Sequence, residues 1–120
     1  MQPQILVIDD EEILIDVIKD VLNLMNIPAV FAASGAAGIE LFTSHKESIR
    51  LILLDVLMPG IGGVETYSRI FEMNPGIKVI FMSGYPANDA LAIQKLPGKI
   101  EFLKKPFSVQ EIMSIIQKML

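Results

Sequence analysis

The chain has 120 residues, a formal net charge of −4 and no cysteine. That length suits one domain with a real core, the absence of thiols rules out disulfides and cysteine-held zinc, and a sequence pI near 4.9 argues against the basic stripe of a nucleic-acid binder. A hydrophobic fraction of 52% and a mean hydropathy of +0.51 favour strands covered on both faces, hence an α/β architecture. The opening MQPQILVIDDEE has no basic segment before its apolar run and so does not read as a signal peptide. No apolar run reaches the roughly 18 to 20 residues that would span a bilayer. The expectation is a soluble cytoplasmic domain over residues 1–120 with no membrane and no direct nucleic-acid contact.

In chain order, Ile5 to Ile8 reads as a strand, followed by an amphipathic helix from Glu11 to Met25 with Leu14, Val17, Ile18, Val21, Leu22 and Met25 at spacings of three and four. Ala29 to Ala33, entered through Pro28, suits an edge strand. Ser34 is placed to cap a helix reaching about Ser44. Leu51 to Leu54 is the next strand, and Val64 to Met73 a third helix stopped by Asn74-Pro75-Gly76. Val79 to Met82 is a strand, Asn88 to Leu96 a fourth helix, Ile100 to Leu103 a weaker strand, and Ser108 with Glu111 a capping box that opens the last helix. The strands are continuously apolar, as in a parallel sheet buried on both faces. Strands alternating with helices through short connections imply right-handed crossovers.

In such sheets, ligands bind beyond the carboxyl ends of the strands. Those ends carry Asp9-Asp10, Asp55, Ser83 and Lys104-Lys105. Three carboxylates on one rim repel each other and raise their own pKa values, so the cluster calls for a cation. Hard oxygen ligands suit Mg²⁺. A metal, a hydroxyl and an ammonium around Asp55 are what an in-line phosphoryl transfer needs, with Asp55 as nucleophile. The Pro-Gly loop after Asp55 gives the chain room to turn while the Leu57 carbonyl faces the metal. It is not a Walker-type loop, because the lysine and hydroxyl residue that should follow the glycines are missing.

The set ILVIDDEE, LILLDVLMPG, VIFMSGY and FLKKPF, spread over essentially the whole chain, resembles the receiver domain of two-component response regulators. The resemblance implies a flavodoxin-like (βα)5 doubly wound fold with five parallel strands in the order 2-1-3-4-5. It implies that Asp55 accepts a phosphoryl group from a histidine kinase or histidine phosphotransfer protein. Asp10, Asp55 and the Leu57 carbonyl would bind Mg²⁺, with Mn²⁺ as an alternative and Asp9 acting largely through water. Ser83 and Lys105 would bond the phosphoryl oxygens, Lys105-Pro106 would be a cis peptide, and Phe102 would be the switch aromatic. Ser83 and Phe102 would move together, changing the surface of the fourth helix, fifth strand and fifth helix toward an output domain or downstream protein. Such a domain promotes its own phosphorylation and hydrolysis without turning over a free substrate. MSGYP and FLKKPFS are similar to receivers attached to hybrid histidine kinases, and a homodimer through the last helices is left open.

Phe102 lacks the hydroxyl of many switch aromatics, and Gly62 stands where the family often has an aspartate cap. Leu57 and Tyr85, each two residues beyond a site residue, flank the approach of hydrolytic water and are expected to slow phosphate loss. Rival readings meet specific obstacles. A haloacid-dehalogenase-type phosphatase would need an acid at Leu57, and a flavin carrier would need a hydroxyl- and glycine-rich loop where Asp9 to Glu12 stand. A receiver-like docking module is the third alternative. Lys104 reads as a solvated edge charge, His45 as a surface residue and the methionines as core filler.

Overall fold

A computed structural model of the chain describes residues 2–84 and 92–120. Each run read as a strand forms part of one parallel five-stranded sheet: β1 (Ile5–Ile8), β2 (Ala29–Ala32), β3 (Leu51–Asp55), β4 (Lys78–Ser83) and β5 (Lys99–Lys104), the apolar run of the last interrupted by Glu101. The strand order is 2-1-3-4-5, with β2 on one edge as the Pro28 entry suggests. The described helices are α1 (Glu12–Leu24), α2 (Gly35–His45), α3 (Gly63–Met73) and α4 (Val109–Met119). Of the helix expected over Asn88 to Leu96, residues 88–91 lie outside the described residues, Ala92 and Ile93 are helical, and Gln94 to Leu96 form a turn and bend.

Unbroken hydrophobicity is needed because successive side chains enter different cores. Leu6, Ile8, Ile52, Leu54, Val79 and Phe81 pack with Phe42 of α2 and Tyr67 and Ile70 of α3. Ile5, Val7, Leu51, Leu53, Ile80 and Met82 pack with Ile18, Val21 and Leu22 of α1 and with Ile112 and Ile116 of α4. Burying one such side chain contributes roughly 1.5 to 3 kcal/mol.

Local signals set the helix ends. The Ser34 hydroxyl accepts the Ala37 amide at 3.1 Å, and both halves of the Ser108/Glu111 capping box form. After α1, Asn26 adopts φ 57°, and the Ile27 amide reaches back to the Leu22 carbonyl at 3.0 Å, closing a Schellman-type stop. Gly62 precedes α3 with no side-chain cap bond.

Candidate functional site

Parallel order and register bring the strand ends together before any side chain is considered. Asp55 lies opposite Met82, and Ser83 opposite Lys104. Just beyond, the Asp9 amide donates to the Ala32 carbonyl at 3.1 Å, and the Lys105 amide to the Ser83 carbonyl at 2.8 Å. The chain then turns back sharply after β3. Gly60 has φ +79°, and a Cβ at Gly63 would collide with the Asp55 carbonyl and Val56 backbone. That close approach restricts position 63 to glycine.

Asp9 is fully buried, and each of its oxygens has a partner. Oδ1 accepts the Glu11 amide at 2.9 Å, and Oδ2 accepts Lys105 Nζ at 2.9 Å. Asp55 is 4% exposed; its Oδ1 accepts the Leu57 amide at 3.4 Å and lies 3.4 Å from Lys105 Nζ. Lys105 makes a second short bond, 2.8 Å to Glu11 Oε1. One oxygen from each of Asp9, Glu11 and Asp55 lies within 4.8 Å of the others.

This crowding has an electrostatic signature. Burial, reinforced by the charge of Asp9, pushes the Asp55 carboxyl up to about 6, while Lys105 and the Leu57 amide oppose the rise. Burial alone would lower the Lys105 ammonium, but bonds to Glu11 and Asp9 and the nearby carboxylate charges hold it above the usual lysine value. Hard oxygen donors gathered at a buried, repelled carboxylate fit a divalent cation such as Mg²⁺.

Glu11, Asp55 and Lys105 open into a cavity of about 300 Å³ that Asp10, Leu57, Ser83 and Gly84 also line. Ser83 is 2% exposed there. Asp10 lies exposed on the wall, and Leu57 leaves 60% of its surface to solvent. Phe102 sits away from the rim, half-buried opposite Phe81 and packed on the α2–α3 side of the sheet. The Lys105-Pro106 peptide is cis. Tyr85 lies outside the described residues.

Glu11 is the residue that sequence reading passed over. Its backbone is extended (φ −87°, ψ 105°), and its side chain reaches the Lys105 ammonium that Asp9 also holds. The available signal was the two-residue spacing of Asp9 and Glu11.

A family model described as the response regulator receiver domain matches residues 5–117. The chain belongs to that family. The receiver is 31% identical over 120 residues to sporulation initiation phosphotransferase F of Bacillus subtilis (strain 168), covering 100% of this chain and 95% of that protein. It is 36% identical over 91 residues to Sensor kinase CckA of Brucella abortus (strain 2308), an overlap of 74% of the receiver and 9% of the kinase. A crystal structure of a response regulator receiver domain protein from Clostridium thermocellum matches with a TM-score of 0.85 at 30% identity, covering 97% of the receiver and 92% of that chain. Receiver domains are phosphoacceptor signalling domains of two-component systems, and the family binds Mg²⁺ at an acidic pocket. Among the described residues, no helix is long and apolar enough to cross a membrane.

Proposed function

We propose that this receiver takes a phosphoryl group from the phosphohistidine of a histidine kinase or histidine phosphotransfer protein onto Asp55. The observation that carries the reading is the buried Asp55 carboxylate with Lys105 Nζ at 3.4 Å, in a cavity also lined by Ser83. A carboxylate oxygen of Asp55 attacks phosphorus in line with the P–N bond. That bond breaks, its electron pair stays on the imidazole nitrogen, and the phosphoryl group ends as an acyl phosphate on Asp55. With its pKa raised to about 6, Asp55 is mostly ionised, and so nucleophilic, at neutral pH. Lys105 and Ser83 donate to the phosphoryl oxygens and hold charge that would otherwise face buried carboxylates.

Asp10, Asp55 and the Leu57 carbonyl, with Asp9 acting largely through water, are the groups that would hold Mg²⁺, or Mn²⁺ in its place. When bound, such an ion offsets the carboxylate charge and screens the incoming phosphate. The new charge, roughly −1.5 to −2 by analogy with other phosphorylated side chains, then biases a two-state element. Ser83 and Phe102 shift together, and the face formed by the segment before β5, β5 itself and α4 changes toward an output domain or downstream protein. Loss of the phosphate by hydrolysis resets the switch, so no free substrate is turned over. The proposal includes a single receiver domain over residues 1–120, working in the cytoplasm.

The reading is tested by incubating the protein with acetyl phosphate and Mg²⁺ and measuring intact mass. One added phosphate that does not form when EDTA withholds the metal, nor in Asp55→Asn, supports it. No gain with any small phosphodonor favours a docking module instead.

A further inference from the structure

Lys105 has three carboxylate neighbours, and it does not treat them equally. Its ammonium lies 2.9 Å from Asp9, 2.8 Å from Glu11 and 3.4 Å from Asp55. The side chains of Asp9 and Asp55 are almost wholly enclosed, whereas that of Glu11 is 59% exposed. Asp9 is further fixed by the Glu11 amide on its other oxygen. The three partners thus comprise two carboxylates held by the fold and one at the solvent edge that can swing away.

We infer that Glu11 is a positioning residue, which draws the Lys105 ammonium toward the rim and off Asp55 in the unphosphorylated protein. An ammonium fully closed on Asp55 would occupy the oxygens that a divalent cation needs. Held toward Glu11, it leaves Asp55 open to the ion yet within one short movement of a phosphoryl group. Because Glu11 is the most exposed of the three carboxylates, its bond to Lys105 is the one most weakened by solvent and the first to be surrendered. The role belongs to this chain's own geometry, since it depends on the extended Glu11 backbone that aims the side chain at the rim.

The inference rests on the metal-binding part of the proposed function and is tested without phosphorylation. Mg²⁺ alone is titrated into ¹⁵N-labelled protein while the amides of residues 55–57 are followed by NMR, for wild type, Glu11→Gln, Lys105→Met and the double variant. In Glu11→Gln the lysine closes on Asp55, and Mg²⁺ binding weakens by about three- to tenfold. In the Lys105→Met background, the same Glu11→Gln change costs less than about twofold, because Glu11 then has no lysine to hold. Equal weakening in both backgrounds would overturn the inference, since Glu11 would then act on the ion directly, and so would no weakening in either. A wild-type protein that binds Mg²⁺ but takes no phosphate defeats the phosphoacceptor reading and leaves this one standing.

Discussion

Lys105 Nζ stands 3.4 Å from Asp55 Oδ1, close enough to attract the carboxylate but too long for a good charge-assisted hydrogen bond. Asp55 therefore remains under-compensated in the metal-free protein. Its pKa is raised to about 6, first by burial and then by the charge of Asp9.

A stability effect follows, with a definite sign. The folded protein keeps the Asp55 proton at pH values where the unfolded chain, near 3.8, has lost it. Asp55 therefore contributes no penalty below about pH 4, and the folded state loses stability as pH rises through about 6. In EDTA, Asp55→Asn should stabilise the protein by about 1 to 3 kcal/mol at pH 7.5, the gain vanishing below about pH 4. Urea denaturation across that range measures it. A gain that is constant with pH would show that ionisation is not its source.

Metal addition should have the converse dependence. Mg²⁺ at about a hundredfold excess over its dissociation constant should stabilise wild type by roughly 2.7 kcal/mol. Asp55→Asn lacks one of the charges that attract the ion and should gain distinctly less. Thermal melts with and without Mg²⁺ make the comparison, and equal shifts in both proteins would place the ion elsewhere.

Tyr67 is buried in α3, edge-on to Phe81 with ring centroids 5.5 Å apart, and its hydroxyl donates to the Pro97 carbonyl at 2.7 Å. Gly98, at φ +112°, lies so close that a Cβ would overlap the Tyr67 hydroxyl. Tyr67→Phe should therefore cost about 1 kcal/mol. Gly98→Ala should cost more, because both its backbone conformation and the close approach oppose a side chain. Chemical denaturation ranks the two variants, and the reverse order would contradict this account of the turn.

These examples also separate what the sequence made legible from what it did not. Asp55 and Lys105 could be placed on one rim because continuous apolar strands announce their own ends, and parallel strands end on the same side. The Ser108/Glu111 cap was equally local, and it forms. The Tyr67–Pro97 bond joins residues 30 apart through a packing detail that no local pattern encodes. Glu11 was hidden for another reason: Asp9 to Glu12 is an unbroken acidic run, so composition alone could not show which side chains the backbone turns inward. The strand order, too, came from resemblance to receivers rather than from residue pattern.

Leu57 presents 60% of its surface beside the cavity, and in the proposed function its bulk would shield a phosphoryl group on Asp55 from water. Replacing it with asparagine, which can accept a hydrogen bond from that water, should speed phosphate loss by up to about tenfold, equivalent to roughly 1.4 kcal/mol in barrier height. Mass spectrometry after removal of the phosphodonor gives the decay rate. If even the combined Leu57→Asn, Tyr85→Ala protein decays no faster than wild type, these residues do not set the lifetime of the signal.

The central claim is that Asp55 itself carries the phosphoryl group. Borohydride reduces an acyl phosphate to an alcohol, so treating the phosphorylated protein converts the modified aspartate to homoserine, which peptide mass spectrometry can locate. The account predicts homoserine at position 55, formed only when both phosphodonor and Mg²⁺ were present. Homoserine at Asp9 or Asp10, or an unmodified position 55 in protein that has gained a phosphate, would contradict it.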